Sequence, residues 1–228
     1  MKILISDKMD EEGIEIFRKQ EGIEVDVKTG LSPEELTKII GQYDGLAIRS
    51  ATKVTKEILD AAIKLKVVAR AGIGLDNVDI AEATKKGVAV MNTPGGNTVT
   101  TAEHAIAMMM AMTRNIPRGT RTLKEGKWEK KNLEGREIFN KTLGVLGYGN
   151  IGSIVATLGK GLKMKVIVYD PSISIEHIER SGFESVTLDE LFSRSDYITI
   201  HVPRMESTAN LLNAEAFAKM KKGVMIIN

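Results

Sequence analysis

A chain of 228 residues, 43% of them hydrophobic, is long enough for one large or two small packed domains. Its 32 basic and 30 acidic residues leave a formal charge of +2, which argues against a nucleic-acid partner, and the absence of cysteine excludes disulfides and thiolate chemistry, with no metal site expected. No apolar run reaches the roughly 18 residues of a membrane span, and MKILIS opens as a strand rather than a signal peptide, so a cytoplasmic chain without a membrane partner is expected.

Residues 1–97 alternate strand-like and helix-like segments. Strands are predicted at Lys2 to Ser6, Ile23 to Val27, Gly45 to Ile48, Val67 to Arg70 and Val88 to Met91. The clearest helix runs from Pro33 to Gly41. Ser32 and Glu35 have capping-box spacing, Pro33 stands at the first helical position, and Leu31 with Leu36 can staple the entry. Leu36, Ile39 and Ile40 form its apolar stripe. A second helix starts at Thr55 with Ile58, Leu59 and Ile63 inward, and a third runs from about Asp79 to near Gly87. This alternation implies a parallel sheet covered on both faces, with ligands beyond the carboxyl ends of its strands.

Two strand ends carry polar residues suited to a small anion. Arg49, beside Ser50, can pair bidentately with a carboxylate or phosphate. Gly72 and Gly74 can present backbone N–H groups as a nest. Ordinary turn chemistry with a solvated arginine accounts for the same spacing equally well.

The segment from Met91 to Thr98 holds Pro94, Gly95, Gly96, Asn92 and Asn97, and marks the domain boundary. The helix predicted after it, about Thr100 to Arg114, places Ala105, Met108, Met109 and Met112 on one face. That face is read as core with part in a subunit interface. The charges of Arg118 to Lys131 read as a solvated face, and Trp128 as packing in a joint or dimer arm.

Leu143 to Asp170 carries the strongest chemistry. An apolar strand enters Gly147-Tyr148-Gly149-Asn150-Ile151-Gly152, a helix follows, and a second strand ends at Asp170, eighteen residues after Gly152. Gly147 suits the tight turn, Gly149 the approach of a pyrophosphate, and Gly152 close packing of helix on strand. The helix N-terminus offers unpaired N–H groups and a positive dipole end to phosphates. Asp170 can accept hydrogen bonds from a ribose, and its charge repels a 2′-phosphate, favouring NAD over NADP. Further strands are predicted at Tyr197 to His201 and Val224 to Asn228, with helices near Leu188 to Ser193 and Ala214 to Lys221. His177 is placed on an exposed helix.

In combination, IRSATKVT (48–55), RAGIGLDNVD (70–79), NTPGGNTVTTAEHAIAMMMAMTRNIP (92–117), LGVLGYGNIG (143–152), VYDP (168–171) and HVPRMESTANLLNAEAFAKMKKGVMIIN (201–228) resemble the D-2-hydroxyacid dehydrogenase family from end to end. IRSATKVT points toward its phosphoglycerate branch. The resemblance implies an α/β chain: a flavodoxin-like parallel-sheet substrate domain over 1–97 and a partial, half Rossmann NAD-binding domain over 98–228. It implies substrate contacts at Arg49, Ser50, Gly72, Ile73, Gly74 and Asn97. Cofactor contacts fall at Ile73, Asn150, Ile151, Asp170, Val202 and Pro203, beside Gly147, Gly149 and Gly152.

The implied reaction is hydride transfer between NAD and a small anionic 2-hydroxy acid; in the phosphoglycerate branch, 3-phospho-D-glycerate becomes 3-phosphohydroxypyruvate. Dimerisation is implied through residues 98–131. The family's catalytic arginine, glutamate and histidine follow the strand matching Val224 to Asn228, so the 228-residue chain is expected to be a truncated form with little or no turnover. A strand order of 3-2-1-4 in the second domain makes 224–228 an apolar edge able to pair between subunits. The alternatives are a relative acting on glycerate or hydroxypyruvate, and a non-catalytic NAD-binding module.

Overall fold

In the computed structural model, which describes residues 1–203 and 205–228, the chain divides into two units, Met1–Asn97 and Thr98–Asn228. Arg204, inside the 201–228 motif, lies outside the described residues.

The first unit is a five-stranded parallel sheet of β1 (Lys2–Ile5), β2 (Glu24–Val27), β3 (Gly45–Ile48), β4 (Val67–Arg70) and β5 (Ala89–Asn92). Their order is β2-β1-β3-β4-β5, the flavodoxin-like winding. Four helices connect them: α1 (Glu11–Arg18), α2 (Pro33–Ile40), α3 (Lys56–Ala61) and α4 (Ile80–Lys85). Strand alternation divides the core. Leu4, Leu46, Ile48 and Val68 pack with Leu36, Ile40, Ile58, Leu59 and Ala83 on one face. Ile5 and Ala47 meet Ile14 and Phe17 of α1 on the other. Each fully buried Leu or Ile contributes about 1.5–3 kcal/mol, so these clusters, rather than helix propensity, hold helices as short as six residues.

The capping box forms as the spacing predicts. Ser32 Oγ accepts from the Glu35 N–H at 3.2 Å, and Glu35 Oε2 accepts from the Ser32 N–H at 2.8 Å. Ser32→Ala is expected to cost about 1 kcal/mol, read as a lower urea midpoint with unchanged slope. Ile63 departs from expectation: it is 82% exposed. Helix α3 stops at Ala61 and Ala62 turns out of the helical region (φ −85°, ψ 60°), so helical spacing no longer applies at residue 63. Helix α1, which periodicity did not single out, is capped by Asp10, whose carboxylate accepts from the Glu12 N–H at 3.0 Å.

The second unit opens with α5 (Thr98–Thr113) and α6 (Ile116–Lys124). A parallel sheet follows: β6 (Thr142–Leu146), β7 (Lys165–Tyr169), β8 (Glu184–Ser185), β9 (Tyr197–Ile200) and β10 (Met225–Ile227). Its helices are α7 (Asn150–Gly161), α8 (Ile175–Arg180), α9 (Leu188–Arg194) and α10 (Ala214–Lys219). Read from the β8 edge, the strand order β8-β7-β6-β9-β10 is 3-2-1-4-5 with β6 as the first strand. One expectation is thereby corrected: the sheet holds five strands rather than four, so 224–228 lies fifth rather than fourth, still at the edge. The added strand is β8, two residues of Glu-Ser with little strand propensity of their own, which no sequence pattern marks.

On α5 the buried stripe runs through Ala102, Ala105, Met109 and Thr113, whose hydroxyl meets Tyr197 Oη at 3.3 Å. Met112 lies at the rim of that stripe, 37% exposed. On the opposite face of the sheet, Gly144 of β6 runs directly beneath α9. A Cβ there would overlap Ser195 Oγ and lie 3.0 Å from Leu191 Cγ. Part of the charged segment coils into α6, and beyond it Trp128 stands 80% exposed. Among the described residues, no helix is long and apolar enough to cross a membrane.

Candidate functional site

Two loop clusters lie at the carboxyl ends of the strands, each where its sheet reverses winding direction. Such switch points open a crevice for ligands.

In the second unit the switch lies between β6 and β9. The chain leaves β6 through Gly147, at φ +95°, a left-handed conformation that favours glycine. A Cβ on Gly147 would sit 2.8 Å from His201 C and 2.9 Å from Val202 N, so the segment after β9 closes directly against this turn. The Gly147 N–H donates to Tyr169 O at 2.9 Å, tying in β7. Helix α7 then begins at Asn150 with Gly149 as its N-cap, leaving the first N–H groups without intrahelical partners. Space above Gly149 is open, with nothing within 4 Å of a built Cβ. Gly152 is the opposite case: a Cβ there would overlap Gly147 O and lie 3.0 Å from Gly147 C.

Asp170 directly follows β7, beside this turn. One carboxylate oxygen accepts from the Tyr148 N–H at 2.7 Å and the other from the Ser172 N–H at 2.8 Å. A carboxylate has about four acceptor positions, so capacity remains for ribose hydroxyls. Asn150 is exposed, while Ile151 is half-buried at the edge of the core. Val202 is half-buried, and the exposed Pro203 holds its loop by accepting from Thr208 Oγ1 at 2.6 Å. These residues fit a dinucleotide: an open glycine face at a helix N-terminus for the pyrophosphate, and a fixed carboxylate one strand away for the ribose.

His201 follows β9 directly, its backbone against the Gly147 turn and its Nε2 2.7 Å from Thr199 Oγ1. Burial pushes its pKa down from 6.5 to about 4. Below pH 6.5 the unfolded chain takes up a proton that the folded chain refuses until about pH 4. The resulting contribution to stability is therefore complete above pH 6.5 and is lost as pH falls toward 4. Urea midpoints compared at pH 7 and pH 4.5 are expected to fall further for the unsubstituted chain than for His201→Gln.

In the first unit the switch lies between β1 and β3. Asp7, just past β1 and 5% exposed, accepts from the Arg49 N–H at 2.5 Å and from Thr52 Oγ1 at 2.7 Å. Asn77 Nδ2 donates to Arg49 O at 2.8 Å and Thr52 O at 2.6 Å. The turn bearing Arg49 and Ser50 is thus pinned from both sides, while the Arg49 side chain remains exposed, with a long 3.3 Å contact from Nη1 to Lys8 O. Ser50 Oγ accepts from Arg70 Nη2 at 3.2 Å, and Arg70 Nη1 pairs with Asp76 at 2.8 Å.

The Gly72–Gly74 loop corrects one expectation. Neither glycine has a positive φ, and the Gly72 N–H already donates to Arg70 O at 2.9 Å, so the alternating backbone of a nest is not formed. Space explains the glycines instead. A Cβ at Gly72 would stand 3.2 Å from Arg70 Nε, and one at Gly74 3.0 Å from Asp76 Oδ1. The loop covers the Arg70–Asp76 pair. Ile73 is held by its carbonyl, which accepts from Asn92 Nδ2 at 2.8 Å, and Asn97 is the last residue of the unit. Asp7, Asn77 and the supporting role of Arg70 escape sequence reasoning. The available signal was a charged residue directly after a buried strand.

A parallel sheet with a glycine turn, a helix N-terminus and a strand-ending carboxylate at its switch point defines a dinucleotide-binding α/β protein. The family model described as D-isomer specific 2-hydroxyacid dehydrogenase, NAD binding domain, matches residues 106–228. The chain belongs to that family. A D-3-phosphoglycerate dehydrogenase from Synechocystis is 50% identical over 227 residues, which cover all of this chain and 41% of that protein. A hydroxypyruvate reductase from Thermotoga maritima is 47% identical, again over the whole chain, and 73% of it is covered. Among solved structures, NAD-bound 3-phosphoglycerate dehydrogenase from Entamoeba histolytica superposes with a TM-score of 0.82 at 32% identity, covering 99% of this chain and 70% of that one.

Proposed function

We propose that this chain forms the substrate- and NAD-binding part of an enzyme that oxidises 3-phospho-D-glycerate to 3-phosphohydroxypyruvate. The observation that carries this reading is the pinned Arg49–Ser50 turn: it presents an exposed guanidinium and a hydroxyl at a switch point, a pairing suited to a phosphate or carboxylate. Whole-chain identity of 50% to a D-3-phosphoglycerate dehydrogenase supports it. In this reading Arg49, Ser50, Gly72, Ile73, Gly74 and Asn97 contact the acid. Gly147, Gly149, Asn150, Ile151, Gly152, Asp170, Val202 and Pro203 contact NAD, with Ile73 reaching its nicotinamide side. Bound NAD supplies the hydride acceptor. The chain's own residues bind the dinucleotide's phosphates at the α7 N-terminus and its ribose at Asp170, and hold the acid's charged groups.

The same resemblance puts no catalytic arginine, glutamate or histidine in residues 1–228, and little turnover is expected of them alone, so the test reads binding. Calorimetric titration is expected to show NAD binding with NADP much weaker, and 3-phospho-D-glycerate binding that Arg49→Gln weakens about tenfold. Equal affinity for NADP would overturn the cofactor reading. D-glycerate binding as tightly as its phosphate ester would favour the second reading, a hydroxypyruvate reductase, which the 47% identity to that relative supports. A homo-oligomer through residues 98–131 is part of the proposal. Exposed Ile116, Leu123 and Trp128 support it, and a monomer in sedimentation would overturn it.

A further inference from the structure

Tyr148 stands between the two glycines that face the pyrophosphate, yet its side chain turns away from solvent. It is 6% exposed. Its ring meets Phe183 edge-on, with centroids 5.9 Å apart and planes at 64°, and meets His177 of α8 at 6.3 Å and 66°. Its main-chain N–H donates to Asp170 Oδ2 at 2.7 Å. One residue therefore joins the glycine turn to the ribose carboxylate, and an aromatic wedge fixes that residue. Edge-to-face aromatic pairs favour one geometry over its neighbours, so the wedge resists sliding of the turn along β7.

We propose that Tyr148 is a positioning residue of the dinucleotide site: its ring, clamped by Phe183 and His177, sets the place of the Tyr148 N–H and through it the height of the Asp170 carboxylate against the ribose. The inference rests on the reading that the turn holds NAD. Loss of the clamp leaves the Asp170 carboxylate present but misplaced. It thus weakens the contact made by the ribose 2′-hydroxyl and leaves the pyrophosphate contacts of α7 in place.

The test titrates the chain with NAD and with the analogue lacking the adenosine 2′-hydroxyl. Tyr148→Leu is expected to weaken NAD about tenfold and the deoxy analogue less than about twofold, since the analogue never made the contact with Asp170. Tyr148→Phe, which keeps the ring, is expected to bind as the unsubstituted chain does. Phe183→Leu and the exposed-site change His177→Ala are expected to follow Tyr148→Leu in direction, and they carry the test if Tyr148→Leu does not fold. Equal losses on the two ligands, or no loss in any of these variants, would overturn the inference while leaving the NAD reading intact. An unsubstituted chain that binds neither ligand would overturn the NAD reading and this inference with it.

Discussion

Gly152→Ala is expected to abolish measurable NAD binding and to lower the melting temperature by roughly 5–10 °C. The new Cβ would overlap Gly147 O and crowd Gly147 C at 3.0 Å and Val145 Cγ1 at 3.3 Å. Two of these three atoms are backbone, so no side-chain rotation relieves the clash. Helix α7 has to move off the turn, at an overpacking cost of about 1–3 kcal/mol, and the melting shift scales from that cost. The displaced helix carries its N–H groups away from the pyrophosphate, which couples the fold defect to binding. Gly149→Ala separates the two effects. Its backbone is ordinary (φ −76°) and its surroundings are open, so stability is expected to stay within about 0.5 kcal/mol. Binding is expected to fall at least tenfold, because the methyl group occupies the face where the pyrophosphate approaches the backbone. Calorimetry of both variants with NAD, alongside thermal melts, reads all four quantities. Unchanged NAD affinity in both would remove the glycine turn from the cofactor site.

Gly144→Ala is expected to destabilise the second unit by about 2–3 kcal/mol without touching a ligand. Its Cβ would overlap Ser195 Oγ, which is fully buried and donates to Leu191 O at 2.6 Å. Leu191 Cγ and Cδ2 would stand at 3.0 and 3.1 Å. Helix α9 has to lift from β6. Ser195→Ala alone is expected to cost about 1 kcal/mol for the lost hydrogen bond. The double variant should be more stable than the sum of the single changes allows, by at least about 1 kcal/mol, because removing Oγ clears the worst overlap. Recovery stays partial, since Leu191 remains in place. Strict additivity in urea unfolding would show that α9 does not press on Gly144.

What could be read from the sequence was whatever is written locally. Ser32, Pro33 and Glu35 carry α2 within four residues, and the box forms as expected. Gly147 through Gly152 with Asp170 mark a glycine turn for the same reason: each part serves a neighbour along one strand–turn–helix–strand path. The losses are non-local. Gly144 owes its identity to Ser195, and Asp7 acts on the turn at Arg49 and Thr52, more than forty residues away. Nothing near these positions marks them. Gly72 and Gly74 are ambiguous for another reason: glycine permits both left-handed backbone and close approach, and only the Arg70 and Asp76 side chains beside the loop decide between the two. Strand β8 was lost because two polar residues have no period to detect.

The division at Asn97 has a consequence for synthesis on the ribosome. Among the described residues, each sheet draws its five strands from one unbroken stretch of chain, and no strand of the later sheet is inserted into the earlier one. The five strands of the first sheet can therefore pair as soon as β5 emerges. At roughly 5–20 residues per second, they have several seconds to do so before β10 leaves the tunnel. Pairing β6 with β9 spans α7, β7, α8, β8 and α9 and is intrinsically slow, so the second sheet closes later than the first.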